Sequence, residues 1–313
     1  MKSQFQIKGG SLVPAPAAFD VVVYSVPTQE ERQDAIRIWR LDPYDVESAL
    51  DPDAIPRIEY APGHVALIWK RPKNVAVDDQ LRFDVASMGF FLEHGKLIII
   101  TDEQVAPLSA KEFVGATSVF DVLFRYLLHT VHHYLGHLRV IKQITVELSS
   151  KIGASMENKY FLQMFALSES LVYYLNAIEA NGAVLAKLKA NAERLALPAE
   201  QVQFLHDLIL DNQQCARQAQ IHSSVLAGLM DARGTIINNN VNVLLKNLTL
   251  INVVFLPLTL IASIGGMSEF TMMTKDVDWR VSYSLLTVAM VLLGWATWAG
   301  LVRILDKRQT RQR

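Results

Sequence analysis

Two apolar runs near the C-terminal end constrain this chain more than any other feature. Val243 to Ile264 is 22 residues long with one formal charge, Lys246. As a helix it covers roughly 33 Å, about the thickness of a bilayer's hydrocarbon core. Val281 to Val302 is another 22 residues and carries no charge. It ends in Trp295, Trp298 and then Arg303, the aromatic and cationic flank of a membrane interface. Either run alone fits the buried helix of a soluble protein. Two of them, 16 residues apart, predict a hairpin that crosses a membrane twice.

The flanks predict its orientation. Arg303 to Arg313 holds five cations and one acid, whereas the connecting residues Glu269, Lys275, Asp276, Asp278 and Arg280 are slightly acidic. Basic segments stay on the cytoplasmic side, so the tail is expected in the cytoplasm and the connection outside. Two crossings then place the large N-terminal part in the cytoplasm as well. The first ten residues have no apolar core of the kind a signal peptide needs, which agrees with that placement. The expected location is the inner (plasma) membrane, multi-pass, with both termini cytoplasmic. A formal net charge of −1 gives no basic field for nucleic acid. A single cysteine, Cys215, excludes an intramolecular disulfide and multi-cysteine metal clusters.

The first run is not uniformly apolar. Asn242, Leu245, Thr249, Asn252, Leu256, Thr259 and Ser263 recur every three or four residues and collect most of its polar groups. That spacing keeps one seam toward one axis in a left-handed bundle. Asn252 lies near mid-membrane, where an amide facing lipid goes unsatisfied. Its face therefore meets either a neighbouring helix, through hydrogen bonds, or water in a pore. Two spans cannot enclose a pore, so the second reading requires several copies. Leu245 and Leu256 would then form apolar rings able to gate by dewetting. Upstream, Ala199 to Ile264 contains only Gly228 and Gly234 as weak points and no proline before Pro257. One helix of roughly 100 Å is expected to run from the N-terminal part into the membrane.

The fold class read from these patterns is an α+β membrane protein. An α/β domain spans 1–108, with strands at Phe19–Tyr24 and His64–Lys70 and a hairpin around His94-Gly95. From about Ala110 the pattern turns helical, giving a helical region 109–198 with helices near Val119–Ile152 and Asn158–Leu195. A stalk helix 199–242, spans 243–264 and 281–302, a connection 265–280 and a basic tail 303–313 complete the chain. No glycine-rich phosphate loop, nucleophile elbow or metalloprotease motif is present, so no enzyme site is expected. His129, His133 and His137 share one helix face, and two of them, His129 and His133 first, are spaced to hold one divalent metal. The same row reads equally as a polar helix face. Asp207 and Asp211, one turn apart on the long helix, read either as solvated acids or as part of a cation-sensing rim in an oligomer.

Phe255 to Ser268, Phe-Leu-Pro-Leu-Thr-Leu-Ile-Ala-Ser-Ile-Gly-Gly-Met-Ser, resembles the signature of the CorA-type divalent metal-ion transporter family. Asp45-Val-Glu47 followed by Ile55-Pro-Arg-Ile-Glu59 resembles that family's N-terminal signature. The resemblance implies a homopentamer embedded in lipid, with the first span lining the pore. It implies pore positions at Asn242, Leu245, Leu248, Thr249, Leu256, Thr259, Ser263 and the motif Gly266, Met267, Ser268. It also implies a regulatory metal site that includes Asp207. The family motif has tyrosine where Gly265 stands and asparagine where Ser268 stands. Hydroxyls at Ser268 can still accept from the waters of hydrated Mg²⁺, an ion that dehydrates reluctantly. Glu269 adds charge beside them.

The expected function is a divalent-cation channel or transporter for Mg²⁺, or for Zn²⁺, Co²⁺ or Ni²⁺, with no tightly bound cofactor beyond a transported or regulatory cation. A proton-coupled zinc transporter and a non-conducting regulator on the same scaffold are the alternatives.

Overall fold

The computed structural model describes residues 1–73, 81–104, 113–154 and 158–309. The expected 108/109 boundary, the helical onset at Ala110 and the tail residues Arg311 and Arg313 lie outside them. The chain divides between Met230 and Asp231 into two compact units.

The N-terminal unit is built on seven strands: β1 (Lys2–Lys8), β2 (Ser11–Pro14), β3 (Val21–Ser25), β4 (Arg57–Ala61), β5 (His64–Pro72), β6 (Val85–Glu93) and β7 (Lys96–Thr101). Their order in the sheet is β2-β1-β3-β7-β6-β5-β4. Only the β3–β7 pairing is parallel; the other pairs are antiparallel. Central strands read as nearly unbroken apolar runs because both faces are covered. Alternate residues then divide between two cores. Val21, Val23, Leu67, Trp69, Phe90, Leu97 and Ile99 enter one. Val22, Tyr24, Ala66, Ile68, Phe91, Ile98 and Ile100 enter the other. The hairpin expected at His94-Gly95 forms, with both residues at positive φ (49° and 74°) between paired Glu93 and Lys96. That is the backbone a two-residue turn requires to match strand twist.

Two short helices cover one face. In α1 (Gln29–Trp39), Thr28 and Glu31 form a reciprocal capping box. In α2 (Pro43–Ser48), the Asp42 side chain caps the Tyr44 amide and proline occupies the first turn. The other face packs against α3 (Val119–Ala154), α4 (Asn158–Ala190) and the first part of α5 (Ala199–Gly265). Buried amides fix these helices. Asn181 on α4 accepts from the Lys70 amide (3.0 Å) and donates to the Lys70 carbonyl (2.7 Å). Gln201 on α5 donates to Ser118 and Asp121 at the start of α3, both at 2.8 Å. Asn212 donates to the Ile178 carbonyl at 3.0 Å.

The stretch resembling the N-terminal signature is an ion-pair centre. Arg57 Nη2 donates to Asp45 Oδ1 at 2.5 Å and to Ser48 Oγ at 3.1 Å. Its Nε reaches Glu59 at 2.9 Å, and the Tyr44 ring lies 4.8 Å from the guanidinium carbon. Asp45 is buried, so Arg57 supplies the counter-charge that burial demands. The centre joins α2 to β4; it holds the fold.

The C-terminal unit contains the rest of α5, a short helix α6 (Ser268–Met273) and α7 (Trp279–Gln309). The 67 residues of α5 form one unbroken helix with Pro257 inside it. The connection 265–280, expected as a loop, is partly helical: α6 lies within it, and Asp278 caps α7, accepting from the Arg280 amide at 2.9 Å. Helices α5 and α7 are long and apolar enough to cross a membrane.

Candidate ion pathway

Two interlocking contacts join α5 and α7. A Cβ built on Gly265 would lie 2.5 Å from Leu286 Cδ2, and one built on Gly294 would lie 3.2 Å from Leu258 Cδ1. Each helix thus offers a glycine notch to the other's leucine, and small residues let membrane helices approach closely. Leu258 and Gly265 are seven residues apart and share one face of α5.

The polar seam lies on the opposite face. At about 100° per residue, Leu245, Thr249, Asn252, Leu256, Thr259 and Ser263 fall about 100–180° around the helix from Leu258, with Asn242 and Leu248 at the edges of this arc. All of them are exposed, Leu256 at 69% and Leu245 at 53%. α7 therefore packs along the Leu258–Gly265 stripe of α5 and leaves the polar seam bare. Sequence spacing grouped the seam; it carried no sign of which face α7 would take. The interlock of Gly265, Leu286, Leu258 and Gly294 was missed for the same reason, although two glycines in apolar runs are a readable hint.

Two seam hydroxyls have their protons committed. Thr249 Oγ1 donates to the Leu245 carbonyl and Thr259 Oγ1 to the Phe255 carbonyl, each at 2.8 Å. Each oxygen keeps acceptor capacity on the open side, which suits the waters of a hydrated cation. At the end of α5 the Gly266 amide bonds the carbonyls of Ala262 and Ser263, and the Met267 amide that of Ile264. Met267 caps α6 through its backbone position alone. Ser268 opens that helix with Glu269 beside it, and Gly266, Met267, Ser268 and Glu269 are all exposed. The motif residues are thus contiguous with the seam at one end of α5.

The other proposed metal positions lie in the N-terminal unit. Asp207 is exposed and accepts from Gln203 at 3.1 Å, and Asp211, one turn on, is half-buried. His129 and His133 have ring centroids 6.3 Å apart, and His133 meets His137 edge-on at 4.5 Å. His137 pairs through Nδ1 with the Tyr174 hydroxyl at 2.6 Å and packs against Phe83. Burial, then the neighbouring His133, pushes His137 down to about 4. His133 is lowered by burial, by His129 and by Arg71. Near neutral pH His133 and His137 are thus kept uncharged, and all three rings are woven into aromatic packing. Among the described residues, no three His, Cys, Asp or Glu side chains gather to hold a metal ion.

A sheet-based unit, a helix that continues from it into the first of two apolar helices, and a polar seam along that helix define a membrane transport protein rather than an enzyme. Residues 17–303 match the family described as CorA-like Mg²⁺ transporter protein, and the chain belongs to that family of divalent-cation transporters. The cobalt/magnesium transport protein CorA of Methanocaldococcus jannaschii is 24% identical over 233 residues, 72% of each chain. The complete structure of the CorA magnesium transporter from that organism shares the fold with a TM-score of 0.78 at 20% identity, covering 95% of this chain and 96% of its own. The cytoplasmic domain of ZntB from Vibrio parahaemolyticus shares it with a TM-score of 0.57 at 12% identity, over 76% of this chain and 98% of the domain.

Proposed function

We propose that five copies of this chain assemble in the inner membrane around a hydrated axis lined by the α5 seam, through which divalent cations cross. The N-terminal unit and both termini lie in the cytoplasm. The observation that carries this reading is the bareness of the seam. Asn252 sits at mid-span on the face that α7 leaves open, and in hydrocarbon its amide would cost several kcal/mol, on the order of 4. Copies of the same helix around water meet that demand and bring the acceptor oxygens of Thr249, Thr259 and Ser263 to one axis. Ser268 and Glu269 form the outer mouth and engage the ion through its waters, the contact that suits Mg²⁺. Leu245 and Leu256 form the apolar constrictions, with Leu248 flanking them. Asp207 and Asp211 serve as acids that neighbouring copies bring into a cation-sensing rim.

Flux into proteoliposomes decides the matter. Mg²⁺, Co²⁺, Ni²⁺ and Zn²⁺ are tested separately, with and without a pH gradient. Divalent flux that falls tenfold or more, on the order of 1.4 kcal/mol, in an Asn252→Leu variant of unchanged oligomeric size supports the pore. Zinc flux that follows the pH gradient moves the assignment to proton-coupled zinc transport. Absence of flux for all four ions from correctly assembled protein leaves a non-conducting regulator.

A further inference from the structure

The turn between the membrane helices is held by a residue outside the motif. α5 ends at Gly265, where carbonyls run out of helical partners. The Gly265 carbonyl is met from α7: the Tyr283 hydroxyl donates to it at 3.2 Å. The same ring lies edge-to-face with Phe270 of α6, centroids 5.9 Å apart and planes at 76°. One side chain thus grips both sides of the segment Gly266–Glu269. The grip requires the absence of a side chain at Gly265, because a Cβ there would strike Leu286, one helical turn from Tyr283 on the same face. Phe270 is anchored in turn, its carbonyl accepting from Thr274 Oγ1 at 2.8 Å.

Resting on the pore reading above, we infer that Tyr283 is a positioning residue for the ion mouth: its hydroxyl, bonded to the Gly265 carbonyl, and its ring, set edge-to-face with Phe270, hold Ser268 and Glu269 in place for the hydrated cation. The tyrosine touches no ion. Its loss changes how well the mouth captures cations and leaves the path behind the mouth intact.

The test uses full-length protein in proteoliposomes over a Mg²⁺ concentration series. Tyr283→Phe keeps the ring and removes one hydrogen bond. It is expected to raise the half-saturating Mg²⁺ concentration about three- to tenfold, with maximal flux and oligomeric size little changed. Tyr283→Ala removes both contacts and gives a larger shift. Gly265→Ala, which forces Leu286 against the turn, reproduces the Tyr283→Phe shift, and adding Leu286→Ala reverses it. A second readout is independent of conduction. Cys215, the chain's one cysteine, is buried, so Ser268→Cys adds the one exposed target for a membrane-impermeant thiol reagent, and the unsubstituted protein is the labelling control. Adding Tyr283→Phe is expected to change its labelling rate by about threefold or more. Tyr283→Phe protein that matches its parent in both saturation and labelling overturns the inference. If the unsubstituted protein carries no flux, the pore reading fails by itself, and the labelling comparison still decides the role of Tyr283.

Discussion

The two units treat apolar residues in opposite ways. In the N-terminal unit, Trp69, Phe90, Phe91, Ile98 and Leu127 are all at or below 1% exposure. In the C-terminal unit, Leu244, Leu256, Leu285, Val291 and Trp295 are each more than 60% exposed. The first unit builds its own core and pairs its buried Asn181 amide and the Asp45 carboxylate from within, through Lys70 and Arg57. The second is unfinished as a single copy in water: lipid must cover its apolar surface, and the polar seam on α5 needs other helices or a wet axis. Self-sufficiency ends where α5 leaves the sheet unit, although the helix itself does not break.

The contrast breaks most visibly on separation. Residues 1–230 expressed alone are expected to stay folded and dispersed without detergent, and residues 231–313 to precipitate without detergent or lipid. Sedimentation of both fragments checks this, and an aggregated N-terminal fragment would remove the distinction. Next in size, Phe91→Ala in the N-terminal unit should cost about 4 kcal/mol in denaturant unfolding, because it empties a closed core between sheet and α2. Leu256→Ala, exposed on α5, should leave that transition where it was. Asp45→Ala should cost about 2 kcal/mol by the same measurement, since it leaves Arg57 partly buried with, among the described residues, Glu59 alone as its ionic partner.

The smallest effect is a pH slope. His137 has its folded pKa depressed to about 4 from 6.5, so the unfolded chain binds the proton first. Stability of the N-terminal unit should fall as pH drops from 6.5 toward 4 and level below that. His137→Phe should flatten this slope, and His133, lowered in the same direction, should retain part of it. An unchanged slope in the variant would place the proton uptake elsewhere.

Much of this molecule was legible from local pattern. Short apolar, β-branched runs marked β3 and β5, and His94-Gly95 marked the β6–β7 hairpin, because such runs and turns are properties of a few consecutive residues. Continuity of α5 followed from the lack of breakers, and the seam from a spacing of three and four. The family signature at Phe255–Ser268 marked the end of α5, where we propose the ion mouth. The helical piece α6 was missed, since six residues among glycines and polar groups carry no periodicity.

By itself, the sequence determined the two apolar helices, the sheet unit and the grouping of Asn252, Thr249 and Thr259 on one face, all consequences of hydrophobic period and length. Only the tertiary structure decided which side of α5 is covered. That choice depends on Leu286 and Leu258 fitting the notches at Gly265 and Gly294, contacts between residues 21 and 36 positions apart in the chain. No local period encodes such a fit, because it is settled by the shapes of two surfaces that meet only after the chain has folded back.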